Sequence, residues 1–325
     1  MSRRIVVTSP LPGGALELVR ARHDVDLLGG EAAPTAHELH SAMRDADALL
    51  CMLTDRVPRD SIAAARRLRV IGNCAVGYDN IDVAAATEHG VQVVNTPNVL
   101  TDATADLAWA LLLAAARRIA EADRFVRAGR FHGWRLDLLL GRPLRGRTLG
   151  IAGMGRIGSA IAERARGFGL SVLYTQRHRL DAHAEERLGA RYVDKAELLA
   201  QSDFLALGLP GGPATRHWLD HDAIAALRPG AVVVNTGRGS TLDEAALADA
   251  LERGHIAAAG LDVFEREPDV EPRLLALDNV VLAPHIGSAT DETRSAMARA
   301  VAEDILRVLA GEAPHNPVNS PARSA

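Results

Sequence analysis

The sequence predicts an α/β protein with two parallel sheets, each covered by helices on both faces, the second unit set into the chain of the first. Three observations carry this. Short apolar runs alternate with helical patterns from Ile5 to Val94, the same alternation restarts at Thr148, and the last helical pattern, Asp291 to Ala310, is amphipathic and can return to the first unit. A chain of 325 residues is long enough to bury two cores.

In the first unit the expected strands are Ile5 to Val7, Val25 to Leu28, Ala48 to Met52, Leu68 to Gly72 and Val91 to Val94. Helices are expected over Gly13 to Arg22, Thr35 to Arg44, a stretch from Pro58, and Ile81 to His89. Pro97 interrupts the alternation, and a longer helix starts near Thr101. Its run Leu107 to Ala114 is apolar nearly all round, as in a helix buried between domains. After Thr148, strands are expected at 170–175, 203–207, 231–235, 256–261 and 280–283, with helices at 159–167, 194–201, 221–227 and 243–253. The tail after Gly311 is rich in Pro, Asn and Ser and reads as loose.

Composition narrows the function classes. A net charge of -4 gives no reason to expect a nucleic-acid partner. Lys195 is the only lysine, so no other side-chain amine is available for Schiff-base chemistry. Cys51 and Cys74 lie in apolar runs and read as small core residues, neither a bridge nor a metal pair, and no metal site is expected. No run is apolar and long enough to span a bilayer, and Met1-Ser2-Arg3-Arg4 leads straight into a strand pattern. Cytoplasm is the expected compartment.

The chemistry centres on Thr148 to Ala152 followed by Gly153-Met154-Gly155-Arg156-Ile157-Gly158, with a helical pattern at once behind it. Strand, glycine turn and helix N-terminus form a cradle for a dinucleotide pyrophosphate. Gly153 permits the turn, Gly155 lets backbone approach the phosphates, and Gly158 lets helix pack on strand. An acid about 20 residues past the glycines would accept from the ribose hydroxyls of NAD. Gln176 stands there instead, with Arg177 and Arg179 behind it. Two guanidiniums can grip a 2′-phosphate, which favours NADPH and leaves NADH possible.

Three successive strands then deliver polar groups at their carboxyl ends, where ligands of open parallel sheets collect. Arg238 follows Val232 to Asn235, Asp262 and Glu267 follow Gly260-Leu261, and His285 follows Val280 to Ala283. Each alone has a structural explanation; together, beside a nucleotide turn, they suggest a catalytic set.

These segments, with Ala75 to Asp82, Gly153 to Gly158, Asn235 to Gly239, Gly260 to Pro268 and Pro284 to Ser288, resemble the D-2-hydroxyacid dehydrogenase family over nearly the whole chain, nearest its glyoxylate/hydroxypyruvate reductase branch. The resemblance implies two doubly wound domains: a Rossmann dinucleotide-binding domain, residues 100–288, inserted into a flavodoxin-like substrate domain, residues 1–99 plus 289–325. It implies His285 as proton donor, held and kept charged by Glu267, with Arg238 binding the carboxylate and polarising the carbonyl. Leu53, Val76, Gly77 and Ser288 are the other implied substrate contacts, the backbone around Val76 and Gly77 taking a carboxylate oxygen. Implied cofactor contacts are Thr104, Arg156, Ile157, Leu209, Pro210, Thr236, Gly237, Asp262, His285 and Gly287, with Asp262 on the nicotinamide amide.

Met52, Leu53 and Val76 suit a compact, uncharged substituent. Phosphite dehydrogenases resemble this chain but carry a lysine at the Val76 position, and formate dehydrogenases carry a glutamine at that of Glu267. A 2-ketogluconate or other D-2-hydroxyacid dehydrogenase stays open, as does a nucleotide-sensing corepressor-like binding protein. In relatives the arm Phe131 to Arg135 exchanges between subunits, which implies a homodimer with Trp134 at the contact or at the partner's active site. His132, His178 and His217 show no partners in the sequence and are expected to be surface residues.

Overall fold

The computed structural model describes residues 2–30 and 33–321. Met1 and the last four positions of the expected tail, 322–325, lie outside the described residues, as do Glu31 and Ala32. In chain order the elements begin β1 (Arg4–Val7), α1 (Ala15–Arg20), β2 (Asp24–Leu27), α2 (Ala36–Met43), β3 (Ala48–Cys51), α3 (Arg59–Ala64), β4 (Val70–Asn73), α4 (Val83–Glu88) and β5 (Gln92–Val94). They continue α5 (Thr101–Ala116), α6 (Ile119–Arg127), β6 (Thr148–Ala152), α7 (Arg156–Ala165), β7 (Ser171–Thr175), α8 (Ala182–Leu188), β8 (Ala190–Tyr192), α9 (Lys195–Gln201) and β9 (Phe204–Leu207). Last come α10 (His221–Ala225), β10 (Ala231–Asn235), α11 (Glu244–Glu252), β11 (Ile256–Leu261), α12 (Pro272–Ala276), β12 (Val280–Leu282) and α13 (Asp291–Leu309).

The chain divides into two compact units, residues 1–100 with 288–325 and residues 101–287. In the first, the sheet order is β2-β1-β3-β4-β5, every pair parallel. That is the flavodoxin-like doubly wound order. Its strands are apolar without alternation because both faces are covered; all four residues of β3 are buried. On one face α13 packs Ala298, Val301, Ala302 and Ile305 against Ile5, Val7, Leu50 and Val70.

The expected loose tail is corrected. Asp304 of α13 is fully buried and accepts from the N–H groups of His315 and Asn316 at 2.6 and 3.0 Å. Asn319 then accepts from Val93 N–H at 2.7 Å and donates to Val91 O at 3.0 Å. Val318 N–H adds a bond to Val93 O at 2.8 Å, so the tail covers the outer edge of β5. A sheet edge left with open backbone groups is a liability, and this segment satisfies them.

In the second unit the order is β12-β11-β10-β9-β6-β7-β8, all parallel. Counted from β6 this is the Rossmann order 3-2-1-4-5-6 with one strand added. Helix α5 packs its apolar side on β10, β11, β12 and α7. Trp109 on it donates to Ile161 O at 3.1 Å and stacks on Phe168 with ring centroids 4.4 Å apart. Aspartates cap five helices, at positions 82, 181, 194, 220 and 243, each accepting a first-turn N–H.

Helices α6, α8 and α12 and strand β8 are absent from the sequence expectation. Helix α6 repeats an apolar spacing at Ile119, Ala122, Phe125 and Val126 but buries no residue fully, while α8 buries only Leu188 and β8 is three residues long, so these two carry no full apolar period. The lone lysine is a tie: Lys195 Nζ donates to Trp218 O at 2.5 Å and sits 4.7 Å over the Trp218 ring. Cys51 is buried, Cys74 half-buried, and both are free thiols. Burial raises both, the Cys74 thiol to about 12.

Candidate active site

The glycine turn has the backbone that an anion cradle needs. Gly153 has φ 94, left-handed space that favours glycine, and its N–H donates to Thr175 O at 2.9 Å. Gly158 rests on the Gly153 carbonyl so closely that a Cβ would collide with it. Gly155 caps α7 with no side chain on the helix end and open space around its Cα. The N–H groups of Arg156, Ile157 and Gly158 have no acceptor among the described residues, since the first turn bond is Ser159 N–H to Gly155 O at 2.8 Å. Exposed Arg156 and half-buried Ile157 flank this opening. An open cradle with unfilled donors fits a dinucleotide pyrophosphate.

At the end of β7, Gln176 is tied back to the turn. Its Oε1 accepts from Met154 N–H at 3.1 Å and its Nε2 donates to His178 O at 2.6 Å. Arg177 is exposed, with no side-chain partner among the described residues. Arg179 is engaged by an acid that sequence reasoning missed: it donates to Glu185 Oε1 and Oε2 at 2.8 and 2.7 Å. The Arg179 bonds, helped by Tyr174 OH at 2.7 Å, hold the Glu185 carboxyl at about 2. Burial, then the bond to Glu185, pushes the Tyr174 phenol up to about 12. Glu185 lies six positions beyond Arg179, on a helix that the expected elements omitted, so no local pattern announced the pair.

The three strand ends stand level. Asn235, Leu261 and Leu282 are register partners across β10, β11 and β12, so the loops that follow leave the sheet at one height. Arg238 sits on the first; its carbonyl accepts from Asn235 Nδ2 at 3.0 Å and Thr241 Oγ1 at 2.7 Å. Glu267 sits on the second and His285 on the third, with His285 Nδ1 2.9 Å from Glu267 Oε2. The other oxygen, Oε1, accepts from Phe264 N–H at 3.0 Å. Burial alone would raise the Glu267 carboxyl. The His285 hydrogen bond, the Phe264 N–H and the charges of His285 and Arg238 outweigh it, and the group settles below its ordinary value. His285 Nε2 has no partner among the described residues.

His285 itself has φ 53, a conformation that costs an L-residue roughly 1–2 kcal/mol. Asp262 holds it there. Its carbonyl accepts from His285 N–H at 2.9 Å, and its carboxylate accepts from Ile286 and Gly287 N–H at 2.7 and 2.8 Å. Burial raises the Asp262 carboxyl, against the pull of those two donors. Asp262 is thus first the anchor of the 285–287 turn, and its oxygens keep lone pairs for a further donor. Thr104, buried on α5, lies against Gly287. Thr236 is buried, Leu209 O lies beside Gly237, and the Pro210 carbonyl accepts from Thr215 Oγ1 at 2.6 Å.

Leu53, Val76, Gly77 and Ser288 belong to the other unit, and all are half-buried. Asparagines hold Val76 and Gly77 directly and the residues flanking Leu53, a role that sequence reasoning did not assign. Asn95 Nδ2 donates to Val76 O at 2.7 Å, Asn73 Nδ2 to Gly77 O at 2.7 Å, and Asn80 Nδ2 to Met52 O and Asp55 O at 3.1 and 3.0 Å. The N–H groups of Val76 and Gly77 have no acceptor among the described residues, so this backbone is open to an anion. Ser288 accepts through its carbonyl from Thr290 N–H at 2.9 Å.

Among the expected surface histidines, His132 and His178 are exposed. His217 is corrected: its Nε2 lies 2.8 Å from Glu265 Oε1 and its Nδ1 3.9 Å from Asp243 Oδ2. Its partners lie 26 and 48 positions along the chain, which no sequence pattern could connect. Among the described residues no cluster of His, Cys, Asp and Glu could hold a metal, and no helix is long and apolar enough to cross a membrane.

A Rossmann unit with an open glycine cradle and a histidine–glutamate pair beside an arginine defines a nicotinamide-dinucleotide oxidoreductase. Residues 109–287 match the D-isomer specific 2-hydroxyacid dehydrogenase NAD binding domain, and the chain belongs to that family. It is 46% identical to the glyoxylate reductase of Thermococcus litoralis over 323 residues, 98% of this chain and 97% of that protein. It is 47% identical to the glyoxylate reductase of Aeropyrum pernix, over 97% of this chain and 96% of that protein. An NADPH-dependent glyoxylate/hydroxypyruvate reductase from Sinorhizobium meliloti, solved with NADP and malonate, is similar at 36% identity with a TM-score of 0.88, covering 100% of this chain and 99% of that one. The chain is an NAD(P)-dependent D-2-hydroxyacid dehydrogenase acting on a small molecule.

Proposed function

We propose that the protein reduces glyoxylate and hydroxypyruvate to D-2-hydroxy acids, with NADPH preferred over NADH. The observation that carries this is the His285–Glu267 contact at 2.9 Å, with Nε2 of the same ring left open and the Arg238 charge acting on Glu267. The bound dihydronicotinamide supplies the hydride to C2 of the oxoacid. His285 Nε2 donates the proton that the carbonyl oxygen takes up, and Glu267 keeps the ring oriented and its charge balanced. Arg238 holds the substrate carboxylate by paired N–H donors and stabilises charge on the adjacent oxygen. The Val76 and Gly77 N–H groups take the second carboxylate oxygen, with Leu53 and Ser288 completing the substrate contacts.

Gly153, Gly155, Arg156, Ile157 and Gly158 hold the pyrophosphate. Leu209, Pro210, Thr236 and Gly237 line the cofactor, and Thr104, Asp262 and Gly287 hold its nicotinamide end. The preference for NADPH rests on Gln176 in place of an acid and on the unengaged Arg177, with Arg179 behind it; the similar reductase from Sinorhizobium meliloti is described as NADPH-dependent. We assign the protein to the cytoplasm, where its free Cys51 and Cys74 would stay reduced. A homodimer is supported by an apolar arm carrying Phe131, Trp134, Leu136 and Leu140, with Trp134 80% exposed.

Initial rates with glyoxylate, hydroxypyruvate, pyruvate and 2-ketogluconate, each with NADPH and NADH, test the assignment. Highest kcat/KM for glyoxylate or hydroxypyruvate with NADPH is expected. A higher value for 2-ketogluconate, or for NADH, would overturn the corresponding part.

A further inference from the structure

His217 is built into the site with more bonds than a surface histidine needs. Its φ is 46, in left-handed space that non-glycine residues avoid unless their surroundings fix it. Its N–H donates to Ser240 O at 2.8 Å, two residues beyond Arg238. Its Nε2 meets Glu265 Oε1 at 2.8 Å, two residues before Glu267, and Arg216 donates to the same oxygen at 2.7 Å. The Glu265 N–H in turn donates to Glu244 Oε1 at 2.6 Å, and the Glu244 side chain is buried at the start of α11. Between these anchors Gly239 lies against the backbone of Phe264 and Glu265, with no room for a Cβ.

One residue therefore joins two segments: its backbone N–H holds the loop that carries Arg238, and its ring holds the turn that carries Glu267. The two imidazoles of this rim differ in a telling way. His285 keeps one nitrogen open, whereas both nitrogens of His217 face carboxylates, Glu265 and Asp243. His217 is thereby unsuited to proton transfer and suited to bracing.

We propose that His217 is a positioning residue for 2-oxoacid reduction, fixing the spacing between the Arg238 guanidinium and the Glu267–His285 pair. The proposal rests on the substrate roles given above to Arg238 and His285. A carboxylate clamp that shifts against its proton donor no longer binds one substrate in reacting geometry, and displacements near 1 Å can cost about a hundredfold.

The test compares His217→Ala, His217→Gln and the parent enzyme for glyoxylate turnover, with NADPH binding measured alone by nicotinamide fluorescence. For His217→Ala a rise in glyoxylate KM of about fivefold or more is expected, with a fall in kcat, while one NADPH still binds per chain with unchanged affinity. His217→Gln, which restores a donor to Glu265, should recover most of the loss. An unchanged KM, or a glutamine variant no better than alanine, would overturn the proposal. If His217→Ala does not fold, Glu265→Ala removes the same brace from its other end and should give the same KM rise. His285→Ala in the same assay separates the two levels. Parent-like turnover there would refute the substrate reading, while its loss alongside a parent-like His217→Ala would refute the brace alone.

Discussion

Glu267 uses its two oxygens for two tasks: Oε2 meets His285 Nδ1 at 2.9 Å, and Oε1 accepts Phe264 N–H at 3.0 Å. The His285 ring and the turn that carries Glu267 are therefore held by one carboxylate.

This fixes the acid side of the pH profile. The Glu267 carboxyl lies below its ordinary value, so its contribution to stability is full above the unfolded-state pKa, about 4.3, and is lost as pH falls through the lower folded value. An acid limb in kcat/KM below about pH 4.3 is expected, and Glu267→Gln should abolish that limb. His285→Ala should lower kcat by roughly 10²–10⁴ across the range, measured by steady-state rates.

Arg238 should not tolerate lysine. An ammonium offers one point charge where a guanidinium offers a planar pair of donors. Arg238→Lys is expected to lower kcat/KM for glyoxylate by roughly 10²–10³, with folding unchanged by circular dichroism.

Coenzyme choice should divide between Arg177 and Arg179. Arg177→Ala should raise the NADPH KM by about tenfold and leave the NADH KM near the parent value, as loss of one charge-assisted contact implies. The Glu185 carboxyl, held at about 2, is ionised at every working pH and occupies Arg179. Glu185→Gln should therefore tighten NADPH binding, which a fluorescence titration would register.

The two thiols should be silent in the native enzyme. With Cys74 pushed up to about 12, the thiolate fraction at pH 8 is about one in ten thousand, and Cys51 lies deeper. Titration with a chromogenic disulfide should detect almost no reaction before denaturant is added and two thiols after it.

Removing the tail latch should weaken the first unit. Asn319→Ala leaves the Val93 N–H without the side-chain acceptor it now uses. A loss of about 1–3 kcal/mol follows, and a fall in Tm of several degrees should be seen by calorimetry.

Periodicity showed the strands because both sheets are covered on both faces, so runs such as Val232 to Val234 stay apolar without alternation. It pointed to Arg238, Glu267 and His285 as candidates because each follows such a run at the edge where ligands gather. It could not show contacts made by single polar side chains across long stretches of chain. Asn319 on β5, Glu185 on Arg179, His217 on Glu265 and the three asparagines behind Met52, Val76 and Gly77 are all of that kind. A polar residue has no period, and its partner is chosen by the fold. Elements α8 and β8 escaped for a related reason: each buries little, so neither repeats an apolar spacing.

The tie from Lys195 to the Trp218 carbonyl has a practical side. Glutaraldehyde, activated-ester dyes and epoxy resins need amines, and this chain offers them one lysine that is already occupied. Immobilised or fluorescently labelled preparations should therefore attach through the chain's α-amino group, giving a uniform orientation that lysine-rich enzymes do not allow.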